Sequence, residues 1–123
     1  MIPREKLLRT LSNYREQDVK IATICSHSAL QIFHGARIKG FGTIGIALKR
    51  NRPYYESFPK ASPEIMIEVE NYGDVLRGDV QEKLISENAL IIPHGSFVEY
   101  VGAENILEKL KVPMFGNRLT LYW

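Results

Sequence analysis

Cysteine is almost missing from this chain of 123 residues: Cys25 stands alone. It cannot form a disulfide within the chain, and no Cys and His spacing suggests a zinc site, so a reducing cytoplasm is the expected setting and no metal ligands are expected. Long apolar runs are missing too. Nothing approaches the roughly 18 consecutive apolar residues of a membrane span, and the opening MIPREKLL lacks the charged-then-apolar order of a secretory signal, so no membrane partner is expected. Charge of one sign is scarce: 16 Lys plus Arg stand against 14 Asp plus Glu, a net of +2. That balance is too small to argue for nucleic acid, and any basic surface must be local.

What remains is ordinary globular material. Hydrophobic residues make up 45% and charged residues 24% of the chain, which excludes disorder and fibrous classes, and the length suits one hydrophobic core. Pro3 suits a first helical position, and Leu7, Leu8, Leu11 and Tyr14 recur on one face of a helix ending between residues 13 and 17. Residues 19–25 (VKIATIC) form a β-branched, mostly apolar run that reads as a strand buried on both faces. A helix over 29–38 follows, with Ala29, Leu30, Phe33 and Ala36 on one stripe and Gly40 as its cap. Residues 43–48 (TIGIAL) make a second buried strand. A polar loop over 49–63 leads to a third strand over 64–69.

Asp79 and Glu82 resemble a capping box for a helix that buries Val80, Leu84 and Ile85. A fourth strand over 89–93, a short helical stretch and a helix over 103–110 complete the pattern. The alternation predicts one α/β domain over 1–123: a mainly parallel sheet with right-handed crossovers and helices on both faces. Leu119, Leu121 and Trp123 alternate with polar residues as a strand would. An ending on such a bare apolar element leads us to expect a piece of a longer protein, with a covering partner for these side chains.

Residues 40–45 spell G-x-G-x-x-G. The dinucleotide fingerprint needs those glycines after a strand and ahead of a helix, whereas here they follow a helix and enter a strand, so they read as a helix cap with tight packing. Ser26, His27 and Ser28 sit where a strand gives way to a helix, at the edge where open parallel sheets bind ligands. Helix amides, two hydroxyls and an imidazole there suit a phosphate or carboxylate; equally, a serine caps the helix and His27 faces solvent. His94, Gly95 and Ser96 occupy the equivalent place after another strand, and both loops should open on one edge. Ser96 with Glu99 also fits a capping box.

The run from Lys49 to Tyr55 mixes cations with tyrosines. It suits a single-stranded nucleic acid surface, a solvated loop or a loop holding a small phosphate ester, and the low net charge disfavours the first. Cys25 at a strand end reads as a small hydrophobe rather than a nucleophile. His34 is mid-helix without a matched ligand. Asn117 and Arg118 follow VPMFG, and an arginine there either holds a phosphate bidentately or pairs on the surface.

Three ordered strings, IATICSHSALQIFHGARIKGFGT, IIPHGSFVEYVG and VPMFGNR, together resemble the amino-terminal region of the archaeal formate-dependent FAICAR synthetase family, also called PurP. The similarity runs essentially from Met1 to Trp123. It implies a Rossmann-like domain standing in front of ATP-grasp lobes, and a ligase of purine biosynthesis that joins formate to the amino group of AICAR with cleavage of ATP, through formyl phosphate. The resemblance implies that His27 and Ser96 contact AICAR, with Ser26, Ser28, His94 and Gly95 beside them and Asn117 and Arg118 matching a further motif. It places ATP, magnesium and all catalytic residues in lobes this chain does not contain, so that the chain alone should not turn over. Docking to those lobes, or a homo-oligomer, is the partner expected. The competing readings are a stand-alone nucleotide-binding or regulatory module and a paralogous ligase.

Overall fold

The β-branched run at residues 20–24 forms the hub of the fold. In the computed structural model, which describes residues 2–26, 29–58, 61–93 and 95–115, strand β1 (Lys20–Ile24) lies second from one edge of a four-stranded sheet. Strand β2 (Gly42–Leu48) and then β3 (Ile65–Val69) pair on one side of it, and β4 (Ala89–Ile91) on the other, in the order β3-β2-β1-β4. Every pairing is parallel, with Ala22 opposite both Ile44 and Ile91. The four expected strands are thus present, and their connections require crossovers rather than hairpins. Past the last helix the chain returns to β4: the amide of Ile91 donates to the carbonyl of Pro113 at 2.9 Å, and the amide of Phe115 donates to Ile91 at 2.8 Å.

Alternation along the strands sorts side chains into two cores, because successive residues face opposite sides of a sheet. Ala22, Ile24, Ile44 and Ile46 belong to the larger core, which also contains Val80 and Leu84 of α4 (Gly78–Ser86), Phe97 of α5 (Gly95–Val101) and Ile106 of α6 (Ala103–Lys109). The smaller core joins Ala47 and Cys25 to Ala29 and Phe33 of α2 (Ala29–Ile38) and to Tyr55 of α3 (Arg52–Glu56). Helices therefore cover both faces, and β1 and β2 are buried along nearly their whole length.

Several local expectations need correcting. Helix α1 spans Arg4–Ser12 with Pro3 as its N-cap, one residue ahead of the first helical position. It buries no residue: Leu8 is 50% and Leu11 37% exposed. The stretch 49–63 is not all loop, since a 3-10 turn (Lys49–Asn51) and α3 lie within it, with Pro53 in the first turn, where a missing amide costs nothing. Asp79 is inside α4 rather than capping it; its carboxylate binds the guanidinium of Arg77 at 2.8 and 3.1 Å. The capping box belongs instead to Asn71 and Asp74, at the 3-10 helix Tyr72–Leu76.

The glycine string behaves as its context indicated. Gly40 takes a left-handed φ of 84° at the end of α2, and the amide of Phe41 donates to the carbonyl of Ala36 at 2.9 Å, a closure that favours glycine. Gly45 is in the middle of β2, where a Cβ would come within 2.8 Å of the Pro63 ring and 2.9 Å of the Cys25 sulfur. A Gly45→Ala substitution is therefore expected to lower the unfolding free energy by about 2 kcal/mol through overpacking, as read from urea denaturation. Buried Gln81 fastens the far side of the larger core: its amide donates to the carbonyls of Leu76 and Lys109 at 3.0 and 3.1 Å and accepts from the amide of Lys111 at 2.6 Å.

Candidate functional site

A parallel sheet offers ligands its carboxyl edge, in the gap where neighbouring strands send their chains in opposite directions. The strand order puts that gap between β1 and β4: from β1 the chain proceeds outward through β2 and β3, then crosses back to β4. The ends of the two strands are tied. The amide of Ile92 donates to the carbonyl of Ala22 at 2.9 Å, and the buried Thr23 hydroxyl donates to Ile92 at 3.0 Å. The chain after β1 and the chain after β4 thus leave the sheet side by side, as the sequence predicts.

Of the candidate residues in these loops, Ser26 is described in full. His27, Ser28, His94, Asn117 and Arg118 lie outside the described residues, as does the strand expected over 119–123. Gly95 and Ser96 are described through their backbone, as the first two residues of α5. Ser96 is consequently inside that helix rather than ahead of it, and the capping box with Glu99 does not apply in the expected register.

The loop after β1 is gripped by tyrosines. The Tyr72 hydroxyl donates to the carbonyl of Cys25, and the Tyr55 hydroxyl donates to the carbonyl of Ser26 at 3.1 Å. The Ser26 carbonyl also accepts the amide of Ala29 at 3.0 Å, which closes the turn into α2. Burial pushes the Tyr55 phenol up to about 12 and raises Tyr72 as well, so both remain protonated donors at neutral pH. Burial likewise pushes the Cys25 thiol up to about 12. The thiolate needed for nucleophilic work is thereby disfavoured, in keeping with Cys25 as a packed hydrophobe.

Beside this loop opens a cleft of about 330 Å³, lined among others by Ser26, Asn51, Tyr54, Tyr55, Tyr72 and Tyr100. That volume is at the lower end for small-molecule sites. Tyr54 and Tyr55 lie within the basic and aromatic run singled out from the sequence. Asn51 belongs to the same run, whereas Tyr72 and Tyr100 were not anticipated: they come from two other segments, and no short-range pattern links them. Within the run, Arg52 donates to Glu56 at 2.8 Å and to Glu68 at 3.3 Å, which raises its pKa and commits one of its cations to carboxylates. A second, more open groove of about 560 Å³ lies at the ends of β2 and β3, against Lys49, Arg50 and Glu70.

Among the described residues, no group of three or more His, Cys, Asp or Glu side chains comes together to hold a metal ion. No helix among them is long and apolar enough to cross a membrane.

An all-parallel sheet, helices on both faces and a ligand-sized cleft at the carboxyl edge define an α/β domain of the open parallel-sheet class. The chain belongs to the family described as "Protein of unknown function (DUF1246)", which matches residues 21–123. It is 69% identical over all 123 residues to the 5-formaminoimidazole-4-carboxamide-1-(beta)-D-ribofuranosyl 5'-monophosphate synthetase of Korarchaeum cryptofilum, and 50% identical over the same length to the synthetase of that name from Methanococcoides burtonii. In each case the chain spans 34% of the relative's length. The crystal structure of an IMP biosynthesis protein PurP from Thermococcus kodakaraensis superposes with a TM-score of 0.67 at 37% identity, over 84% of this chain and 31% of that one.

Proposed function

We propose that this chain is the substrate-holding lobe of a formate-dependent AICAR ligase. The observation that carries the reading is the adjacent exit of the β1 and β4 chains at the carboxyl edge, in a chain 69% identical to a protein named as a synthetase of formylated AICAR. In the overall reaction formate loses one oxygen to the phosphate released from ATP. Its carbon forms a C–N bond with the 5-amino nitrogen of AICAR, which gives up a proton, and FAICAR, ADP and phosphate result. The part assigned to this chain is to bind and orient the amine. His27 and Ser96 contact AICAR, Ser26, Ser28, His94 and Gly95 shape the two loops around it, and amides opening α2 and α5 favour negative charge. Asn117 and Arg118 are assigned either to AICAR itself or to orienting the link to the lobe that carries ATP.

Binding of ATP and magnesium is assigned to the part of the relatives' length that this chain does not cover. The 123-residue chain is accordingly expected to give no FAICAR when incubated with ATP, magnesium, formate and AICAR. AICAR alone should nevertheless shift amide resonances of the residues after β1 and β4 in nuclear magnetic resonance. Formation of FAICAR would contradict the division of labour, and a spectrum unmoved by AICAR would contradict the substrate-holding role.

A further inference from the structure

The four tyrosines of the cleft divide into two kinds. Tyr55 and Tyr72 are buried, and their hydroxyls are spent on the carbonyls of Ser26 and Cys25. Tyr54 and Tyr100 are 58% and 54% exposed, and each is braced against one of the buried rings. Tyr54 meets Tyr55 edge-on at 5.1 Å and 85°, and Tyr100 meets Tyr72 at 5.1 Å and 46°. Single exposed aromatics are ordinary on a protein surface. Here two of them line one concave site, each held by a partner ring that is itself pinned to the backbone. Their placement follows from the topology: Tyr54 is on α3 after β2 and Tyr100 on α5 after β4, so they belong to elements that flank the end of β1.

Rings held in this way lose little freedom when they receive a flat ligand, and stacking on a planar heterocycle needs no particular base. Asn51 lines the same cleft. A primary amide has two donor and two acceptor positions, which match the donors and acceptors of a ligand's own amide. We propose that the cleft seats the imidazole carboxamide ring of the substrate, with Tyr54 and Tyr100 offering ring faces and Asn51 reading the carboxamide. This assignment rests on the AICAR reading above and adds to it a ring subsite, separate from the groups that hold the phosphate.

Calorimetric titration of the 123-residue chain with AICAR and with ribose 5-phosphate tests the assignment. Tyr100→Leu and Tyr54→Leu should each weaken AICAR about tenfold, the order expected for loss of one base-stacking ring. Ribose 5-phosphate should bind them as it binds the unaltered chain, and Tyr100→Phe should retain AICAR affinity. Circular dichroism establishes that the variants are folded. Unchanged AICAR affinity in both leucine variants, or an equal loss of AICAR and ribose 5-phosphate, would overturn the ring subsite while leaving the substrate-holding role in place. Failure of the unaltered chain to bind AICAR at all would overturn both.

Discussion

Phe97→Ala is expected to lower the unfolding free energy by about 4 kcal/mol, the cost of removing a fully enclosed aromatic ring together with the cavity left behind. Phe97 is completely buried in the larger core, on the helix that carries Ser96 and Tyr100. A domain of this size has about 5–15 kcal/mol of stability in all, so the substitution should lower the thermal midpoint by roughly 15 °C. Calorimetric melting checks the value. The same change should weaken AICAR binding even at temperatures where the chain remains folded, since α5 would lose the anchor that sets its height above the sheet. A ring replacement that leaves the midpoint within about 3 °C of the original would show that α5 is not seated as described.

The other large effect concerns binding. His27→Ala and Ser96→Ala, combined, are expected to weaken AICAR by about a hundredfold or more, because hydrogen bonds to charged groups contribute about 1.5–3 kcal/mol each and tenfold in affinity corresponds to about 1.4 kcal/mol. If their role is to bind ligand, urea denaturation should be little altered, because polar substitutions outside a packed core change stability by only about 0.5 kcal/mol. The pair of measurements separates a binding role from a structural one. Loss of affinity with retained stability supports the assignment, whereas retained affinity removes both residues from the site. The expectation differs in kind from that for Phe97, where affinity and stability fall together.

The sheet was legible because its signals are local. VKIATIC and TIGIAL are β-branched runs of strand length, and their burial on both faces follows from a place inside a parallel sheet. Gly40 was legible as a cap because a helical stripe ends just before it, and the glycine string lost its dinucleotide meaning from order alone. Helix α3 was missed because five residues are too few to display a helical period, and its proline reads as a loop signal unless the first turn is already known. The exposed face of α1 was misjudged for the opposite reason: the spacing of Leu7, Leu8 and Leu11 is helical, but periodicity does not say that anything packs against the stripe.

The site was half legible. That the chains after β1 and β4 share an edge could be expected from alternating strands and helices, and the pairing of Ala22 with Ile91 bears it out. The tyrosine grip could not be expected. Tyr55 reaches Ser26 across 29 positions and Tyr72 reaches Cys25 across 47. Such contacts depend on how the helices settle on the sheet, and composition and spacing carry no trace of that. Tyr100 stands inside the string IIPHGSFVEYVG but was not singled out there, although it is four residues beyond Ser96 and therefore one helical turn along α5.

The central claim, that the carboxyl edge of this sheet holds AICAR, is tested most directly by a crystal structure of the 123-residue chain soaked with AICAR. The account predicts density for the ligand above the ends of β1 and β4, with its ring in the tyrosine cleft and its phosphate toward His27 and Ser96. Density elsewhere on the molecule, or an empty edge at saturating AICAR, would contradict it.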